Sequence, residues 1–199
     1  MTTIGDHYIS PHFKAGKVSP GQFEDWVDVY EDRLTGWLFD QADSLMAAGP
    51  AAWPATLALA LSFIEGYEIF RTGEDSDRRS KQFFQAAFRR IFSHTAPVYP
   101  PQALDSTSAM IYRELRCGLF HLGLTGPNVF LGQFAAPLEL VLEEKTWQPI
   151  EIHVDVPKFL DAVKAEFQAY TRRLRDPSDP EAATLKTAFE RTWHRIHKR

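Results

Sequence analysis

The chain has 199 residues, 44% hydrophobic and 24% charged, the balance of a globular protein able to bury one sizeable core, so a single domain over 1–199 is expected. A net charge of −4 with a pI near 6.0 excludes a protein that coats nucleic acid through a uniformly basic surface. The one cysteine, Cys117, excludes an internal disulfide and a zinc site of several thiolates, and it fits a reducing, cytoplasmic setting. The amino terminus lacks the basic start and apolar run of a secretory signal. No stretch is apolar for long enough to span a bilayer, so no membrane partner is expected.

Residues 1–18 contain turn formers such as Pro11 and Gly16 and are expected to be an arm lying on the surface. Ser19, Pro20 and Gln22 combine an N-cap, a first-turn proline and a capping-box glutamine, so a helix is predicted from there. It carries Phe23, Trp26, Val27, Tyr30, Leu34, Trp37, Leu38 and Leu45 at helical spacing until Gly49-Pro50, with Gly36 marking a kink or a close crossing. From Trp53 to about Arg71 a second helix is apolar nearly all round, as central bundle helices are. Glu65 is an acid inside that stretch. It reads either as a helix-surface carboxylate or as an ion-pair partner that orients Arg113 or Arg116, because a buried acid needs compensation.

Asp75-Ser76-Asp77 is expected to cap a third helix through Phe83, Phe84, Phe88, Ile91 and Phe92, broken at Ala96-Pro97. Arg78, Arg79, Lys81, Arg89 and Arg90 give it a basic side, the favoured place for RNA backbone contacts, although a charge run is usually a solvated face. After the extended Val98–Pro101 linker comes a helix that ends at Gly123. Beyond it the pattern turns to alternation, and 128–133, 138–143 and 150–154 read as short strands of an antiparallel sheet. Asp155-Val156-Pro157 opens another helix that lasts to Asp176-Pro177, and Ser178-Asp179-Pro180 opens the last. Basic residues from His194 to Arg199 suit its C-terminus. The fold class is therefore mainly α: a bundle of about six helices with a small antiparallel sheet inserted after the helix that ends at Gly123, divided as arm 1–18, helical core 19–123, sheet 124–156 and C-terminal helices 157–199.

Chemistry concentrates at the end of the helix before Gly123. Ile111, Leu115, Leu119 and Leu122 form a buried stripe, and Arg116 and His121 lie off it. Five helical steps turn the direction by roughly 140° and advance about 7.5 Å, so the two side chains meet through a shared ligand or through the arginine's reach. A guanidinium holding phosphate oxygens while an imidazole works on a neighbouring hydroxyl suits phosphodiester chemistry. The same spacing recurs at Arg89 and His94, but Thr95-Ala96-Pro97 follows there with no glycine exit. Neither a phosphate-cradling glycine loop nor a His-Glu-x-x-His pair is present.

The run Arg-Cys-Gly-Leu-Phe-His-Leu-Gly from Arg116 to Gly123 resembles the HEPN superfamily, helical domains marked by an arginine followed a few residues later by a histidine at a helix end. Cys117 stands where the commonest form has a polar residue. The resemblance implies a HEPN-like bundle, RNA cleavage that needs no metal or cofactor, and a homodimer that brings two motifs into one cleft. In that mechanism His121 takes the proton from a ribose 2′-hydroxyl and Arg116 steadies the charged phosphate, while Arg113, Glu65, Arg89 and Arg90 are the candidate binding residues. A non-catalytic HEPN-like binding or dimerisation module, using the polar pair to fix the helix end, is the alternative left open.

Overall fold

A computed structural model describes residues 7–19, 21–95 and 97–197. The start of the expected arm, the first-turn role of Pro20, the break at Ala96 and the basic Lys198 and Arg199 lie outside them. In chain order the elements are α1 (Phe23–Leu34), α2 (Asp40–Ala47), α3 (Trp53–Thr72), α4 (Ser80–Phe92), α5 (Pro101–Ile111), α6 (Gly118–Leu122), β1 (Val129–Gly132), β2 (Leu138–Leu142), β3 (Pro149–Asp155), α7 (Val156–Arg175) and α8 (Ala182–His197). Two π turns, Thr35–Phe39 and Tyr112–Cys117, join α1 to α2 and α5 to α6. Each joined pair is one continuous rod, so the described chain is a bundle of six helical bodies with a small sheet.

The apolar helix α3 sits at the centre, as its lack of a polar face requires, touching α2, α4, α7 and α8. Its Phe63 and Tyr67 pack edge-on against Phe167 and Tyr170 of α7. Phe88 and Phe92 of α4 carry the same core on to Phe159. One hydrophobic cluster thus runs from Phe23 to Trp193, each large side chain contributing about 1.5–3 kcal/mol on burial. The Tyr67 hydroxyl donates to Glu166. Burial first, then the Glu166 charge, pushes that phenol far above its ordinary value. Among the described residues no helix is long and apolar enough to cross a membrane.

The π turns correct the expected stripes. Each inserts one residue into the helical ladder and delays the phase that follows. In the first rod Phe39 and Ala42 become the buried positions and Trp37, expected in the core, is 53% exposed. In the motif rod Leu115 stays buried while Leu122 is carried out to 75% exposure. Pro11 of the arm packs against Gly36 inside the first π turn, and Ser10 is fully buried, so this part of the arm is docked.

Helix starts also differ from expectation. Gln22, rather than Ser19, caps α1 in a reciprocal box with Asp25, whose carboxylate accepts the Gln22 N–H at 2.9 Å. Helix α4 begins at Ser80, after Arg78 adopts a left-handed φ of 58°. The serine that was to cap it, Ser76, gives its hydroxyl to Glu65 instead. Asp155 does cap α7, taking the Lys158 N–H at 3.0 Å. Burial works to raise its carboxyl, but the amides of Lys158 and Phe134 and the Lys158 ammonium outweigh it and hold the group below its ordinary range.

The sheet is mixed rather than wholly antiparallel. Its order is β1-β3-β2, with β2 antiparallel to β3 and β1 parallel to it, Val129 facing Ile152. The β2–β3 hairpin follows from alternation and the short turn between them. The direction of β1 is set by the chain's exit from the motif helix, which no local pattern encodes. Leu138, Ile152 and Val154 face inward, and Val141 and Ile150 face solvent.

Candidate active site at the end of the motif helix

Helix α4 runs antiparallel along the motif rod, and a ladder of polar contacts marks the seam. Arg89 pairs with Asp105 at 2.6 Å, and the Gln85 amide donates to the Ser108 hydroxyl at 3.2 Å. One turn on, the Tyr112 hydroxyl donates to Ser80 at 3.2 Å. The ladder ends at Glu65, whose carboxylate accepts from Ser80 at 2.6 Å, Ser76 at 2.8 Å and the Arg116 guanidinium at 3.3 Å. Of the two arginines offered to Glu65 by the sequence, the fold delivers Arg116. Arg113 turns instead to Glu114, at 2.6 Å.

Arg116 is held from three sides. Besides Glu65, the rings of Phe120 and Tyr112 lie 5.3 and 5.7 Å from its guanidinium carbon, each such contact worth about 0.5–1 kcal/mol or more when partly desolvated. Its side chain retains 28% exposure. The bond to Glu65 uses a single N–H, so the guanidinium keeps donors for the two-pronged grip that suits a phosphate. Fixed but not fully consumed, it is a positioned cation.

His121 sits in the last turn of α6, exposed to solvent. Among the described residues its ring has no hydrogen bond or ion pair, so it caps no carbonyl. No contact joins it directly to Arg116; the two share the neighbourhood of Phe120, which stacks under Arg116 and immediately precedes His121. Gly123 ends the helix with φ 69°, a left-handed conformation that a residue with a Cβ resists. The exit loop folds back over the rod, with the Gly126 N–H donating to the Glu114 carbonyl at 2.9 Å. A Cβ on Gly118 would stand 2.5 Å from the Leu124 carbonyl oxygen, so this close return needs glycine there. Glu114 is buried beneath the loop, and its Oε2 has no partner.

No family model, curated sequence or solved structure matches the chain. The site is therefore read from its own geometry. Around it, Phe120, Leu122 and Leu124 are 48%, 75% and 67% exposed, an apolar rim beside His121. Arg113 lies further back along the same rod, beside a groove of about 370 Å³, and Arg89 lies across the seam on α4. Arg90 is half-buried, its Nε sealed from solvent without a partner, and its charge bears on the Tyr67 phenol. Among the described residues no cluster of three or more His, Cys, Asp or Glu is arranged to hold a metal.

Ser80 and Tyr112 join the site without having been singled out by sequence, and Ser76 was expected only as part of a helix cap. Hydroxyls of this kind carry no spacing signal, because their partner lies on another helix. The buried Glu114 was equally silent, although an acid followed twelve residues later by a second glycine after Gly123 is the local trace of the loop that covers it.

Proposed function

We propose that the chain is a HEPN-like protein whose Arg116 and His121 cleave RNA, in the cytoplasmic setting that the lone cysteine favours. The observation that carries this reading is the contrast at one helix end between a guanidinium braced by Glu65, Phe120 and Tyr112 and an imidazole left free in solvent five residues later. A structural pair would satisfy both groups. A catalytic pair needs one fixed charge to hold the phosphate and one unencumbered base.

In the reaction, the His121 imidazole takes the proton of a ribose 2′-hydroxyl as that oxygen attacks the adjacent phosphorus. The bond from phosphorus to the 5′-oxygen breaks, and the leaving oxygen recovers a proton, giving a cyclic phosphate and a 5′-hydroxyl end. Arg116 donates to the non-bridging oxygens as charge builds on them. The exposed Phe120, Leu122 and Leu124 favour a second copy of the chain packing beside the site.

The test is incubation of mixed-sequence RNA with the protein in excess chelator, comparing wild type with His121→Ala. Cleavage to cyclic-phosphate ends that falls at least a hundredfold in the variant, at unchanged melting temperature, is the expected result. An inert wild type would favour the alternative, a non-catalytic dimerisation or binding module, for which the same apolar rim is the supporting feature.

A further inference from the structure

A second feature of the motif rod lies eight residues before His121. Asp105, Ala109 and Arg113 recur at four-residue steps along one helical face, with Ser106 and Met110 beside them. Opposite stand Gln148 and Pro149 from the turn between β2 and β3, and the space between is a groove of about 370 Å³, within the size range of small-ligand sites. Ala109, Met110 and Pro149 give its lining apolar atoms, and Ser106, Gln148, Asp105 and Arg113 add a hydroxyl, an amide, a carboxylate and a guanidinium. The carboxylate is already matched by Arg89 at 2.6 Å. The Arg113 side chain is 71% exposed and bonds to Glu114 through a single nitrogen.

The turn that walls the groove is unusual in its own right. Trp147, next to Gln148, is 48% exposed and holds a left-handed φ of 57°, a conformation that a large aromatic rarely takes. It is pinned there: its N–H donates to the Glu143 carbonyl at 3.0 Å, and the Thr146 hydroxyl accepts from the Gln148 N–H at 3.3 Å. An indole kept in solvent by a fixed turn, beside an amide-edged groove and a solvent-exposed guanidinium that has donors to spare, is the combination that single-stranded nucleic acid uses: stacking surface, base-edge partners and a backbone charge.

We propose that this groove seats one nucleotide of a single-stranded RNA whose scissile phosphate lies at Arg116 and His121. Arg113 takes a phosphate, Gln148 and Ser106 meet the base edge, Met110 and Pro149 cover its faces, and Trp147 stacks the neighbouring base. The rise from Arg113 to His121 is roughly 12 Å along the helix, a span that a short run of extended single strand bridges. The assignment rests on the RNA-cleaving reading of the helix end, and it adds where the rest of the strand lies.

The test uses His121→Ala protein, which holds RNA uncut, and a labelled single-stranded RNA hexamer followed by fluorescence anisotropy over a salt series. Arg113→Ala is expected to weaken binding about tenfold and to lower the slope of log affinity against log salt by about 0.7, the loss of one phosphate contact on a single strand. Trp147→Ala is expected to weaken binding about tenfold with the slope unchanged, and Trp147→Phe to restore most of it. Far-UV dichroism and melting should match the parent in the two Trp147 variants, whose side chain is exposed; Arg113→Ala leaves the buried Glu114 without its cation, so its binding is read well below its own melting temperature, beside Arg113→Lys, which keeps the charge and should bind like the parent.

Hexamer binding that is indifferent to Arg113→Ala and Trp147→Ala overturns the groove while leaving the cleavage result for His121 intact. Adenosine monophosphate bound as tightly as the hexamer overturns the strand assignment in favour of a free-nucleotide site. Wild type that neither binds nor cuts RNA overturns both readings together.

Discussion

The chain contains the same spacing twice, an arginine and then a histidine after four residues, at Arg89–His94 and at Arg116–His121. Arg89 and His94 straddle the end of α4, Arg116 and His121 lie within the last turns of the motif rod, and the two helices lie side by side. Arg89 is 44% exposed and paired to Asp105, which is 55% exposed, a surface contact worth about 0–1 kcal/mol. His94 lies in an exposed turn that leads into Pro97. Arg116 is held by an acid from the central helix and by two rings, and the chain after His121 makes a glycine-dependent return over its own helix. Spacing is shared; the bracing by Glu65, Tyr112 and Phe120 and the glycine return belong to one copy, and they turn a residue pattern into a candidate site.

The largest expected effects fall on the pair itself. Arg116→Ala should lower RNA cleavage about 100- to 1000-fold, the usual loss when a positioned donor to a developing charge is removed, whereas Arg89→Ala should leave it within about threefold under the same single-turnover conditions, an expectation that follows from Arg89's surface pairing. Next is the acid behind the arginine. Glu65→Ala strips three hydrogen bonds from the α3, α4 and motif-rod junction and should cost about 1.5–3 kcal/mol by denaturant unfolding. Cleavage should fall further than stability alone explains, because Arg116 loses its brace. An Asp105→Ala variant, which frees Arg89, should shift stability by under about 1 kcal/mol.

Smaller, and specific to the exit, is Gly123→Ala. Forcing a Cβ into φ 69° should cost about 1 kcal/mol and lower the melting temperature by a few degrees, with a disproportionate loss of cleavage as His121 is displaced. Thr95→Gly, directly after His94, should change stability by no more than about 0.5 kcal/mol. If Gly123→Ala melts like wild type, the left-handed exit does not fix the helix end.

Much of the fold was legible in the sequence because its punctuation is strong. Gly73, Gly123 and the prolines at the starts of α5 and α7 set element ends that the structure keeps, and the uninterrupted apolar run of α3 marks it as central. What was not legible depends on insertion and on direction. A π turn adds a residue to the ladder without altering the composition around it, so Trp37 and Leu122 read as core and stand in solvent. Alternation identifies β1 as a strand but says nothing of its parallel seat beside β3. At the site, an acid within an apolar helix left two readings of Glu65 open, a surface carboxylate or the partner of Arg113 or Arg116, and the fold selects the pair with Arg116, since charge buried without a partner is costly. The serine and tyrosine hydroxyls that complete the network come from other turns and other helices, and only tertiary packing collects them.

The most direct measurement is single-turnover cleavage of one mixed-sequence RNA, in chelator, by three proteins side by side: wild type, His94→Ala and His121→Ala. The expected result is equal rates for wild type and His94→Ala and a loss of about 100-fold or more for His121→Ala. Equal rates in all three, or a loss confined to His94→Ala, would contradict the assignment of the end of the motif helix as the RNA-cleaving site.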